Sequence, residues 1–250
     1  MIKLLKGNCL EMLCGVEPDC ADLVLIDPPY SSGGLFSGVR KQDTRTKYTD
    51  SDFNGAARFP NFSGDNMDQR SFIRFMTTVS MKLLEITKDG GAIAAFIDWR
   101  NLPAMTDAIQ MGGWIWRGII VWDKNNSRNI PGRFRNDCEY IVWGTNGQKK
   151  VDWKAVNGKK AMPGIYHING INTKKKKHQT EKPVELLKAV CQICPEGGTV
   201  VDCFMGSGST GVACVEEGLN FIGIELNDEY YDIATKRIQE AKMNRDADTN

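Results

Sequence analysis

Histidine is almost missing from this 250-residue chain: His167 and His178 are the only two, and they are not at metal-ligand spacing. Among eight cysteines there is one CxxC, Cys191 and Cys194. A zinc site usually draws on two such pairs or on nearby histidines, so no metal centre is expected. The CxxC lies in an apolar helical pattern with Val184, Leu187 and Val190. It reads as core thiols in a reducing compartment. Long apolar runs are absent as well. The longest, Leu23–Ile26 and Ala92–Ile97, are strand-length, far short of the ~20 residues of a membrane span. The N-terminal stretch has neither a long apolar core nor a small-residue cleavage pattern, so no secretory leader and a cytoplasmic location are expected. No internal repeat occurs, and low complexity is confined to Lys174–Lys177.

A large charge excess is also lacking, since 32 basic residues face 31 acidic ones for a net +1. The charge is unevenly placed, however. Residues 148–178 hold nine lysines and a single acid, Asp152. A solvated loop and a polyanion contact both fit such a segment. Hydrophobic residues at 41% and charged ones at 25% are ordinary for a soluble globular chain and exclude a largely disordered one. The length suits one domain with a small insert.

Leu23–Ile26 reads as a buried strand that prolines stop at Asp27-Pro28-Pro29. Residues 31–66 are rich in Ser, Gly, Asn and Asp without periodicity, which predicts a long loop of the functional or mobile kind. Residues 69–87 place Phe72, Phe75, Met76, Val79, Leu83 and Ile86 on one helical face, ended by Lys88–Gly91. Ala92–Ile97, Trp114–Trp122 and Glu139–Gly144 read as strands, with a short helix at 101–111. Residues 145–177 show no core pattern. Helices follow at Pro183–Cys194, Ser209–Glu217 and from Asn227 or Asp228 onward, with strands at Thr199–Phe204 and Phe221–Glu225 and a fraying tail from Met243. Alternating strands and helices predict an α/β fold with a mostly parallel sheet and ligands beyond the strands' carboxyl ends.

Two turns carry chemistry. Val200 to Gly211 is a strand, a glycine turn (Gly206, Gly208, Gly211) and a helix, which formally matches GxGxxG. Glycines let a ligand approach the backbone, and the helix start offers free N–H groups. Glu225 ends the next strand, where a carboxylate can accept ribose hydroxyls. A dinucleotide such as NAD is one reading, and a purely structural turn another. Asp202, four residues before Gly206, would repel a pyrophosphate and suits an ammonium or sulfonium. S-adenosylmethionine has both. The second turn is Asp27-Pro28-Pro29-Tyr30. Its prolines fix the Pro28 carbonyl beside the Asp27 carboxylate, and two adjacent acceptors match the two hydrogens of an exocyclic amine. Tyr30 offers a ring on which a base can stack. A simple strand-ending turn is the competing reading.

Asp27-Pro28-Pro29-Tyr30 and Phe204-Met205-Gly206-Ser207-Gly208 resemble the catalytic and cofactor motifs of DNA amino-methyltransferases. The catalytic motif comes first, an order that resembles the circularly permuted beta group. His178 to Pro183, Gly7 to Glu11, Gly223 to Asn227 and Cys138 to Trp143 resemble further motifs of that group. The resemblance implies a Rossmann-like S-adenosylmethionine-dependent fold with helices on both faces of the sheet. It implies a catalytic and cofactor domain at 1–144 and 178–250, with a basic target-recognition insert at 145–177. By matched position, Asp27 and Pro28 would hold the target amino group, Pro29 would stiffen the turn and Tyr30 would stack on a flipped base. Asp202, Phe204, Gly206, Ser207, Gly208, Ser209 and Thr210 would wrap the cofactor, with Asp27 bordering it. Thr180, Lys182 and Pro183 would lie at its carboxylate, Glu225 at its ribose, and Asn8, Cys9 and Leu10 at its adenine. Asp98 and Trp99, ending the second strand, join the candidates. Apart from the resemblance, Arg133 and Arg135 around Phe134 suit phosphates and a splayed base, or form a plain surface loop, and Lys174, Lys175, Lys176 and Lys177 are the candidate DNA contacts of the basic insert.

The implied activity is methylation of adenine N6 in duplex DNA by base flipping and direct displacement. Aspartate at the first motif position resembles the adenine enzymes, while serine is commoner in those acting on cytosine N4. Cytosine-N4 methylation, methylation of a protein glutamine, an NAD dehydrogenase and a non-catalytic DNA-binding protein remain alternatives. Relatives of this group serve restriction-modification systems or phages, and many are homodimers.

Overall fold

The computed structural model describes residues 1–30, 67–125, 131–132, 134–149, 161–170 and 181–248. In chain order the elements are β1 (Ile2–Lys6), α1 (Cys9–Met12), β2 (Ala21–Ile26), α2 (Gln69–Glu85), β3 (Thr87–Ile97), α3 (Leu102–Met111), β4 (Ile115–Asp123) and β5 (Cys138–Thr145). There follow β6 (Ile165–His167), α4 (Val184–Cys191), β7 (Thr199–Asp202), α5 (Ser209–Glu217), β8 (Asn220–Glu225) and α6 (Asp228–Asp248). Among the described residues, eight strands form one sheet in the order β1-β8-β7-β2-β3-β5-β4-β6. Only β5 runs against its neighbours, β3 and β4.

Strand alternation explains why this sheet needs cover on both sides. In β2 and β3, Val24, Ile26, Ile93, Ala95 and Ile97 face one core with Phe72, Met76, Val79 and Leu83 of α2 and Met105 and Ile109 of α3. Leu23, Leu25, Ala92, Ala94 and Phe96 face the other, with Leu186, Leu187, Cys214, Ala234 and Ile238 of α4, α5 and α6. Near-continuous apolar strands are the signature of a parallel sheet buried on both faces. Each fully buried large side chain contributes roughly 1.5–3 kcal/mol, so the two cores are the main stabilising term. Cys191 and Cys194 are buried free thiols in the second core.

The expected doubly wound α/β fold is therefore present, with four differences in detail. Lys88–Gly91 does not end α2, which stops at Glu85. These residues form an irregularity in β3, where Ala21 pairs with Thr87 but Leu23 with Ala92. Gly90, at φ 79°, takes the left-handed conformation that the extra residues require. The tail expected to fray is helical to Asp248, because Arg245 reaches back from α6 to the Val215 carbonyl at 3.0 Å. Two strands escaped the sequence pattern. One is β1, which pairs with β8, and the other is β6, three residues inside the basic segment that pair with Val121–Asp123 of β4.

From the junction of β7 and β2 the chain winds in opposite directions. It passes through α5 to β8 on one side and through α2 to β3 on the other. This is a topological switch point, and the crevice beyond its strand ends is where open α/β sheets bind ligands.

Candidate active site

Three carboxylates end three adjacent parallel strands: Glu225 on β8, Asp202 on β7 and Asp27 directly after β2. They share the wall of a cavity of about 510 Å³ with Gly7, Asn8, Cys9, Pro28, Pro29, Tyr30, Phe75, Phe96, Lys182, Phe204, Gly206, Ser207, Ser209 and Thr210. The two motif turns, distant in sequence, thus meet in one site.

The β7 turn is built by its glycines and its acids. Gly206 (φ 53°) and Gly208 (φ 82°) are both left-handed. The Gly206 N–H donates to one oxygen of Glu225 at 2.7 Å, and Asn227 N–H to the other at 2.8 Å. Asp202 accepts from Phe204 N–H at 3.0 Å and from the Thr210 hydroxyl at 2.7 Å. Burial pushes the Asp202 carboxyl up to about 7, partly offset by those two bonds, and burial raises Glu225 as well. An acidic, desolvated wall of this kind disfavours phosphate and favours a cationic ligand. Arg237 pins the turn from behind, donating to the Ser207 carbonyl and hydroxyl at 2.8 Å each and to Glu181 at 2.7 Å.

The β2 turn is held by α3. Asn101 Nδ2 donates to the Tyr30 carbonyl at 2.6 Å. Asp98 in turn accepts from the backbone N–H groups of Arg100 and Asn101 and pairs with the Arg100 guanidinium. Lys182, 5% exposed, donates to Asp27 Oδ2 at 2.6 Å and lies 3.4 Å from Glu139 Oε2. Asp27 Oδ1 is buried with no hydrogen-bond partner among the described residues. Burial raises the Asp27 carboxyl to about 6, against the pull of Lys182. An orphaned buried acceptor in a cavity wall is costly, and a donor brought by a substrate relieves that cost.

Several residues singled out from sequence sit elsewhere. Leu10 packs against the first core and Pro183 caps α4, neither on the cavity wall. Gly208 caps α5 beneath it. Asp98 serves the α3 turn, because two backbone N–H groups already take one of its oxygens. Trp99 is exposed under the Arg100 guanidinium. Arg135 forms a two-bond pair with Asp137, and Phe134 is fully exposed. Thr180, Arg133, Lys174–Lys177 and the loop at 31–66 lie outside the described residues. Sequence reading missed Glu139, Glu181, Phe75 and Arg237. Glu139 left one signal, an acid at the start of a buried strand. Among the described residues no cluster of His, Cys, Asp and Glu is placed to hold a metal ion.

The glycine turn after β7 and the Asp27–Tyr30 turn after β2 thus share one crevice at the strand ends of an α/β fold. The DNA methylase family model matches residues 21–236, and the chain belongs to that family. It is 29% identical to the type II methyltransferase M.HinfI of Haemophilus influenzae, over 96% of this chain and 69% of that one. It is also 29% identical to M2.DpnII of Streptococcus pneumoniae, over 94% and 89% of the two chains. Among solved structures, the M1.HpyAVI–SAM complex superposes with a TM-score of 0.67 at 23% identity, over 95% of this chain and 99% of that one.

Proposed function

We propose that this chain transfers a methyl group from S-adenosylmethionine to N6 of an adenine flipped out of duplex DNA. The observation that carries the reading is Asp27 Oδ1, a buried acceptor without a partner among the described residues, beside Pro28 in the cavity wall. S-adenosylmethionine, when bound, supplies an electrophilic methyl on a sulfonium. The residues fit it: Glu225 keeps spare lone pairs for ribose hydroxyls, Asp202 offers negative charge to a cation, and Asn8 and Cys9 share the same wall. Relatives named as type II methyltransferases, and a structural neighbour crystallised with SAM, support the same reading.

An adenine N6 is a weak nucleophile because its lone pair is delocalised into the ring. Asp27 Oδ1 and the Pro28 carbonyl accept its two hydrogens, draw the nitrogen toward tetrahedral geometry and stabilise the positive charge that grows there. Fixed acceptors need no reorganisation, and alignment supplies much of the remaining acceleration. The methylated nitrogen then carries a surplus proton. Asp27, whose proton affinity is raised toward neutrality, is the base placed to take it. Tyr30, phenol toward Glu139 at 3.4 Å, offers its ring to the base. Extrusion from the duplex precedes all of this. The segments at 31–66 and 145–177, with Arg133, Arg135 and Lys174–Lys177, are proposed to supply closure and DNA contacts.

The test is to incubate the protein with S-adenosylmethionine and unmethylated duplex, digest the DNA and weigh the nucleosides. N6-methyladenine is expected. N4-methylcytosine would overturn the base assignment, and no methylated nucleoside would overturn DNA as the substrate. Asp27→Ala should keep cofactor binding and lose ~10³-fold or more in kcat.

A further inference from the structure

A chain of alternating buried charges runs from the surface to the catalytic turn. Lys124, just past β4, donates to Glu139 Oε1 of β5 at 3.0 Å. Glu139 Oε2 lies 3.4 Å from the Lys182 ammonium, which donates to Asp27 Oδ2 at 2.6 Å. The Tyr30 hydroxyl, at 3.5 Å, takes the third direction of that ammonium. Two rings also flank it, with the Phe96 centroid 5.1 Å away and the Tyr30 centroid 5.7 Å.

An ammonium has three N–H donors, and these are directed at Asp27, Glu139 and Tyr30. With Lys124 on Glu139, the two lysines and two carboxylates already balance one another. A third carboxylate would find no free donor on Lys182 and would leave an uncompensated negative charge in a desolvated site. The expectation that Lys182 holds the cofactor's carboxylate therefore conflicts with this geometry. We infer that Lys182 and Glu139 are positioning residues for the target amine: Lys182 ties down Oδ2 of Asp27 so that Oδ1 faces the substrate, and Glu139 holds Lys182 in place. This rests on the reading of Asp27 as the acceptor of the target amino group. The ionisable groups facing Asp27 are Lys182, Glu139 and Asp202 of β7, with Tyr30 on its own turn. Of these only Lys182 is positive, so it is the group that keeps Asp27 ionised near neutrality.

The experiment compares wild type, Lys182→Met and Glu139→Gln, using S-adenosylmethionine affinity from calorimetry without DNA and kcat across pH. Lys182→Met should bind the cofactor within about threefold of wild type and lose ~10²-fold in kcat at pH 7.5. Its acid limb should move upward in pH, so that activity partly returns at pH 9. Glu139→Gln should lose about tenfold in kcat with the same cofactor affinity, and it keeps the test alive if Lys182→Met does not fold. A large loss of cofactor affinity at unchanged saturating kcat would overturn the inference and return Lys182 to the cofactor's carboxylate. Equal loss at every pH would overturn the role in keeping Asp27 ionised. If wild type itself methylates no adenine, the functional reading falls first, which separates the two failures.

Discussion

Asp202→Asn should make the protein more stable and a poorer enzyme, and the gain should grow with pH. The Asp202 carboxyl, ordinarily at 3.8, is pushed up to about 7 by burial. Its ionised form is thus disfavoured in the folded state. Between those two values the unfolded chain has lost the proton that the folded chain keeps, so stability falls as pH rises through that window. With 1.36 kcal/mol per pH unit, the cost is about 2 kcal/mol at pH 5 and about 4 kcal/mol at pH 8. An asparagine carries no such cost. Its carbonyl can still accept from Phe204 N–H, and the Thr210 hydroxyl can turn to accept from the amide. The variant's advantage over wild type should therefore increase by about 3 kcal/mol from pH 5 to pH 8, which is 1.36 kcal/mol for each of the roughly two pH units between 5 and the folded-state value near 7. Urea unfolding at both pH values, comparing midpoints at equal slope, measures it. The same variant should bind S-adenosylmethionine at least about tenfold more weakly, having lost a buried charge opposite a cation. An advantage that is identical at both pH values would refute the reasoning about Asp202, whatever its sign.

Two further outcomes follow from the turn and from the basic segment. Gly208→Ala should cost about 2–4 kcal/mol, since an added Cβ meets Ala234 Cβ at 2.8 Å and Cα at 2.9 Å at a left-handed φ; an unchanged unfolding midpoint would show that α6 yields freely. Replacing Lys174–Lys177 by glutamine should flatten the dependence of log DNA affinity on log salt by roughly 0.9 for each phosphate no longer neutralised, and an unchanged slope would leave that run a solvated loop.

Most elements were legible because their patterns are local. Leu23–Ile26 could only be a buried strand, and α5 ends at Gly218 as its sequence indicates. Errors arose where a long-range partner decided the outcome. Lys88–Gly91 looks like a helix stop, yet it lies within β3 as the irregularity between two stretches paired with β2, with Gly90 and Gly91 bonded to Asn146 instead. Met243–Asp248 looks like a loose tail, yet Arg245 fastens it to α5. The three residues of β6 are too few to show any period, and only β4 makes them a strand.

The sequence by itself determined the two turns, because proline and glycine act on their own backbone. Asp27-Pro28-Pro29-Tyr30 must leave a sheet, and the glycines of Gly206-Ser207-Gly208 allow a tight left-handed turn that few other residues could take. It also determined the doubly wound class, through strands apolar on both faces. Only the tertiary structure decided what each charge does. Asp27 and Tyr30 of one turn meet Glu139 and Lys182, each more than forty residues away in the chain from the others, around the Lys182 ammonium. Their separation from water, which sets Asp27 near 6, exists only once β2, β5 and the segment before α4 are packed together. Burial and pairing are properties of the assembled crevice, and no local pattern encodes them.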